Sequence, residues 1–235
     1  MTQTQSPDHD QMYQTLANEI LRFELKPGDA LSENQLCQRF GLSRTPVRSL
    51  LQRLQENGLV QIIPCKGSIV TRLDYDVVNQ LIYERVAVET MVLRDFIRTC
   101  SPADAERTRY AFSQLKQMAE EYFRDPEHFE ADRFRAADLH MHESWFRATG
   151  KEYLWRKLSS VESSYTRFCM LDIIDGNNVH DVLSEHEEML RLIHTRSEDG
   201  LEELMKRHLY GGVRRLSGLI YTRYADFFVS PADQP

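Results

Sequence analysis

No run of apolar residues in this 235-residue chain approaches the ~20 needed to span a bilayer, so a transmembrane helix is excluded. The first ten residues are polar and acidic and lack the basic-then-apolar pattern of a secretory signal. The four cysteines (Cys37, Cys65, Cys100 and Cys169) include no C-x-x-C pair, and free, mostly buried thiols in a reducing cytoplasm are expected. Internal repeats and low-complexity tracts are missing. An excess of positive charge is missing too: 29 Lys and Arg against 36 Asp and Glu give −7, which speaks against a chain coated for nucleic acid.

The distribution of that charge reverses the inference. Residues 37–72 carry Arg39, Arg44, Arg48, Arg53, Lys66 and Arg72 against Glu56 alone, a net +5, while residues 73–235 carry −8. Such asymmetry fits a small anion-binding module joined to an acidic domain. Within the basic segment, Gly41 can take the positive φ that ends one helix and Ser43 can cap the next, with Pro46 in its first turn. Val47, Leu50, Leu51 and Leu54 form one apolar stripe. Arg44 and Arg48 lie four apart, away from the stripe, with Thr45 nearby. A short helix held by its apolar back and offering arginines and small polar groups suits a DNA major groove.

The surrounding pattern extends this to a domain. Helices are expected over 11–24, over a short span from Ser32 to Phe40 with a capping-box start, and over 43–57. Two β-rich runs, 59–63 and 68–72, flank Pro64-Cys65-Lys66-Gly67 and read as a hairpin with a basic tip, Lys66 reaching phosphate. Three helices and a basic hairpin describe a winged helix-turn-helix. After residue 73 strand signals cease. Helical patterns cover 74–99, a span opening at Ser101-Pro102, 127–149, 151–171, 180–196 and 199–224. The expected fold is mainly α: an N-terminal winged helix-turn-helix followed by an antiparallel all-α bundle of six to seven helices. The expected divisions are a disordered tail at 1–10, the DNA-binding domain at 11–73, a helical effector-binding and dimerisation domain at 74–226, and a tail at 227–235.

The helical half suggests a second site. Asp138 and His142 are four apart on one expected helix. Apolar Leu183, Leu190 and Ile193 place His186 inward, and Leu201, Leu204 and Met205 do the same for His208. Three inward histidines and an aspartate are costly in a dry core without a shared partner. A divalent transition metal is such a partner, with Zn, Ni, Mn or Fe suited to the donor set and Zn the form expected on isolation. His128, His140, His180 and His194 are expected to have no ligand role, His140 being either an extra pocket group or turned away.

Pro27-Gly28-x-x-Leu31-x-Glu33, Gly41-Leu42-Ser43-Arg44-Thr45-Pro46-Val47-Arg48, Gly58-Leu59-Val60 and Lys66-Gly67-Ser68-x-Val70 resemble the GntR family of bacterial transcription regulators. The C-terminal half resembles that family's FCD-type effector domain of the FadR/VanR-like subfamily. There the Asp-x-x-x-His motif falls on Asp138 and His142, and two later ligand histidines on His186 and His208. The resemblance covers about residues 11–224. It implies a homodimer on a pseudo-palindromic double-stranded operator, contacted through Glu33, Ser43, Arg44, Thr45, Arg48, Lys66 and Gly67. It also implies a small carboxylate-bearing metabolite at the metal, clamped by Arg85, Tyr165 and Arg167. Ser49 and Asn34 depart from the usual pattern.

The expectation is thus a cytoplasmic, non-enzymatic regulator, a repressor in the first instance, whose operator binding is controlled by an organic acid. One alternative is a metal sensor in which the ion is itself the signal. Another is a metal-dependent hydrolase, disfavoured because no base or nucleophile is paired with the site. Acyl-CoA binding in a metal-free cavity is disfavoured by the intact Asp/His set.

Overall fold

The computed structural model describes residues 9–159, 163–176 and 178–230. Its elements are α1 (His9–Leu21), β1 (Ala30–Leu31), α2 (Glu33–Phe40), α3 (Arg44–Glu56), β2 (Val60–Ile63), β3 (Gly67–Val70), α4 (Tyr75–Thr99), α5 (Pro102–Arg124), α6 (Ala131–Ala148), α7 (Glu152–Ser159), α8 (Ser163–Asp175), α9 (Val179–Thr195), α10 (Leu201–Leu209) and α11 (Gly211–Ile220). The chain divides into two compact units. Of the described residues, one comprises 9–75, 163–167 and 219–230, the other 76–159, 168–176 and 178–218. Among the described residues no helix is long and apolar enough to cross a membrane.

The first unit is a winged helix-turn-helix. Met12, Leu16, Ala17 and Ile20 of α1 close over Leu36 of α2 and over Val47, Leu50, Leu51 and Leu54 of α3, all buried. Gly41 ends α2 at φ 66°, left-handed backbone that L side chains disfavour, and so sets the turn into α3. Pairing of β2 with β3 makes the wing, in register Val60–Val70 to Ile63–Gly67. The sheet has a third strand absent from the sequence reading: Ala30–Leu31 pairs antiparallel with Ile69 and Ser68, giving the order β1-β3-β2. Two residues are too few to show a strand period.

This unit also takes in residues 227–230, where a tail was expected. Leu73 N–H donates to Phe227 O at 2.8 Å and Val229 N–H to Leu73 O at 2.9 Å. The Phe227 ring lies 5.5 Å from that of Phe23. Residues 227–230 are therefore anchored. His9 and Asp10, expected in the N-terminal tail, open α1, and residues 1–8 and 231–235 lie outside the described residues.

The second unit is all helix. Ser101 caps α5 through a reciprocal capping box with Asp104, and Pro102 occupies the first turn. Two expected spans are divided. The 151–171 span resolves into α7 and α8, with 160–162 outside the described residues. The 199–224 span breaks at Tyr210, between α10 and α11. Gly212 follows because a Cβ there would lie 3.0 Å from Phe168 and 3.2 Å from an Asp172 carboxylate oxygen. That carboxylate is buried and takes both Nε and Nη2 of Arg215 and the Asn178 amide, at 2.7–2.9 Å.

None of the four cysteines forms a disulfide among the described residues. Only Cys100 is buried, while Cys65 is exposed at the wing tip, against the expectation of mostly buried thiols.

Candidate functional site

In the first unit, the stripe that buries α3 leaves Arg44, Thr45 and Arg48 exposed. Both arginines are oriented from α2. Arg48 Nε lies 3.1 Å from each carboxylate oxygen of Glu33, and Arg44 Nη2 donates to Asn34 Oδ1 at 3.3 Å. Ser43 is the N-cap residue but makes no side-chain cap hydrogen bond. Lys66 and Gly67 are exposed at the tip of the wing, where Lys66 N–H closes the turn on Ile63 O at 3.0 Å. Two other basic residues of the segment are neutralised by α1: Arg39 pairs with Glu19, and Arg53 with Asp10. Arg53 also lies 4.1 Å over the Tyr13 ring.

In the second unit, Asp138 and His142 of α6, His186 of α9 and His208 of α10 converge. One donor atom from each lies within 4.8 Å of the others. His142 Nε2 is 3.1 Å from His186 Nε2 and 4.0 Å from Asp138 Oδ1, and His186 Nε2 is 3.3 Å from Asp138 Oδ1. Ligands about 2.0–2.1 Å from a common ion stand roughly 3.0–3.4 Å apart at their nearest. His128, His140, His180 and His194 are exposed and lie outside this group.

Hydrogen positions follow from the outer partners. His186 Nδ1 faces Val182 O at 2.7 Å, and a carbonyl oxygen only accepts, so Nδ1 carries the hydrogen. Burial, reinforced by His208, pulls the His186 pKa down to about 3, which leaves the ring neutral and Nε2 a bare lone pair. His142 Nδ1 bonds to Glu89 Oε2. Burial would raise the Glu89 carboxyl, but Arg85 and His142 outweigh it and hold it at about 2, hence ionised and accepting. His208 Nδ1 lies 3.0 Å from Glu185 Oε2, again an acceptor. Burial opposes the charged form of His208, but the Glu185 hydrogen bond and the nearby Asp138 outweigh it and raise its pKa, so carboxylates hold positive charge at this cluster. Asp138 Oδ1 is buried beside them with no hydrogen-bond partner. Burial would raise the Asp138 carboxyl, yet the three histidines and Arg85 lower it on balance. Three imidazoles and an orphaned carboxylate oxygen converging in the core are the donor set that fits a divalent cation.

Residues 9–70 match the gntR family of bacterial regulatory proteins, and residues 80–211 match the FCD domain. The chain belongs to the GntR family. It is 27% identical over 203 residues, 86% of each chain, to the HTH-type transcriptional repressor RspR of Escherichia coli (strain K12). It is 24% identical over 180 residues to the gluconate operon transcriptional repressor of Bacillus licheniformis, covering 74% of this chain and 71% of that one. Among solved structures, a GntR transcriptional regulator from Rhodococcus sp. RHA1 aligns with a TM-score of 0.65 at 20% identity, over 89% of this chain and 97% of that one. Escherichia coli McbR/YncC aligns at 0.62 and 16% identity, over 92% and 98%. These two share the fold. As a GntR regulator with an FCD domain the protein is a DNA-binding transcription factor and not an enzyme.

Of the three residues the family likeness suggested as effector clamps, Arg85 adjoins the four donors through Glu89, whose other oxygen meets His142. In this GntR regulator Arg85 is buried, donates to Glu89 at 2.6 Å and lies 5.7 Å over the Trp155 ring. Tyr165 and Arg167 group with the DNA-binding unit. Arg167, fully buried, donates to Thr71 O at 2.5 Å and to Thr71 Oγ1 at 2.9 Å. Burial lowers its pKa to about 10, which still leaves it charged at neutral pH.

Sequence reasoning missed Glu89 and Glu185. Each sits inside an apolar helical stripe: Ile82, Val86, Leu93 and Phe96 around Glu89, and Val182, Met189 and Ile193 around Glu185. A carboxylate at an inward helical position was the available signal.

Proposed function

We propose that the protein is a cytoplasmic, homodimeric repressor that reads a pseudo-palindromic operator and is switched by a small organic acid at a metal in its helical unit. The observation that carries this reading is the convergence of three imidazole groups on the orphaned Asp138 oxygen. Asp138, His142, His186 and His208 would hold a divalent transition ion, zinc in the protein as isolated. Four protein ligands leave room for a carboxylate in a larger coordination shell, and the ion would supply the charge that attracts it.

On DNA, Arg44, Arg48 and Thr45 read base edges or phosphate, while Ser43, Lys66 and Gly67 meet the backbone. Glu33 holds Arg48 in an extended pose ahead of contact, which lowers the entropy lost on docking. Repression is favoured by RspR and the gluconate operon regulator, both named repressors.

A second reading is a metal sensor in which the ion alone is the signal. The engagement of Arg85 with Glu89 and of Arg167 with Thr71 favours it, because both guanidinium groups suggested for the acid are already committed. Thermal-shift screening against small organic acids, with and without zinc, nickel or manganese, separates the two. Stabilisation by an acid only when metal is present supports the first reading; stabilisation by metal and by no acid supports the second.

A further inference from the structure

We propose that Glu89 and Glu185 are positioning residues of the metal centre, setting its affinity by fixing the hydrogens of His142 and His208 on Nδ1. The inference rests on the metal reading above and concerns residues outside the four ligands.

A neutral imidazole has two tautomers, and only the Nδ1–H form leaves Nε2 able to bind an ion. His186 takes its constraint from Val182 O, one turn back on the same helix, which no side-chain change removes. His142 and His208 are constrained instead by carboxylates on neighbouring helices, Glu89 of α4 and Glu185 of α9. A charged acceptor polarises the ring more than a carbonyl and makes Nε2 the better donor to a metal.

The two carboxylates differ in setting. Glu89 is sealed, with one oxygen on Arg85 and the other on His142, so its charge is balanced inside the core. Glu185 gives Oε2 to His208, while its Oε1 lies 3.6 Å from Arg207, a half-exposed residue that also pairs with Glu188. Ion pairing with arginine would account for burying one oxygen of each carboxylate. It does not account for the other oxygen of each meeting a histidine of the same four-residue cluster.

The test is cobalt and zinc titration of the full-length metal-free chain, following the visible cobalt bands and competing zinc against a chromophoric chelator. The variants are Glu89→Gln, Glu185→Gln, His186→Ala and, as a bystander sharing Arg207, Glu188→Gln. The expected result is loss of binding in His186→Ala, affinities about 10- to 100-fold weaker with altered cobalt bands in the two positioning variants, and no change in Glu188→Gln. If the wild type takes up neither ion, the metal reading itself falls. If the wild type binds and Glu185→Gln binds as tightly with an unchanged spectrum, the positioning role falls and the metal reading stands. Glu89→Gln strands Arg85 in the core, so should it fail to fold, Glu185→Gln decides the outcome.

Discussion

Arg167 holds Thr71 at two points, the carbonyl oxygen and the hydroxyl, and Thr71 in turn donates to Gly58 O at 2.6 Å and through its N–H to Leu59 O at 3.1 Å. Thr71 directly follows β3, and Gly58 and Leu59 directly precede β2, so this one arginine fastens the base of the wing. Its charge remains in the interior because those oxygens replace water.

Arg167→Ala is therefore expected to destabilise the protein by at least about 2 kcal/mol, since it opens a cavity and strips a donor from partly buried oxygens. Chemical denaturation measures this, with metal content unchanged. Unaltered stability accompanied by loss of an organic-acid response would return Arg167 to the role of effector clamp.

On the reading head, Arg48→Ala is expected to cost about 1–3 kcal/mol of affinity for a DNA fragment selected by the protein from a random library, if the guanidinium meets a guanine edge. Lys66→Ala should weaken all fragments alike and lower the salt slope by about one, as loss of a single phosphate contact does. Fluorescence anisotropy at several salt concentrations measures both. Equal affinity of Arg48→Ala and wild type would remove α3 from the groove.

Asp172→Ala leaves Arg215 without its bidentate partner and the Asn178 amide without its acceptor. Breaking one side of such a partly buried pair typically costs about 3–5 kcal/mol, and the remaining contact of Arg215 with exposed Asp181 argues for the lower end. A fall in denaturation midpoint checks this, and a wild-type midpoint would contradict it.

Much of the reading head was legible because its signals are local. Val47, Leu50, Leu51 and Leu54 announce the buried back of α3, and Gly41 announces the turn, with no knowledge of the rest of the chain. The four donors were legible in part: apolar stripes turned His186 and His208 inward, Asp138 and His142 shared one helical face, and the family likeness joined the four. What periodicity cannot carry is partnership across distance. Nothing local links Glu89 to His142, 53 positions away, or Arg167 to Thr71, 96 away. The same holds for β1, too short for a pattern and defined only by pairing with β3, and for Phe227, placed by Leu73 and Phe23.

The proposed switch makes operator binding depend on the metal. The most direct measurement is the affinity of the purified protein for its selected DNA, taken in four states: metal-loaded and chelator-stripped, each with and without the organic acid found by thermal shift. The acid is expected to change DNA affinity about tenfold or more only in the metal-loaded protein, and His186→Ala to be indifferent to it, in line with coupling energies of roughly 1–3 kcal/mol. DNA affinity that responds to the acid equally in the stripped protein and in His186→Ala would contradict the proposed switch.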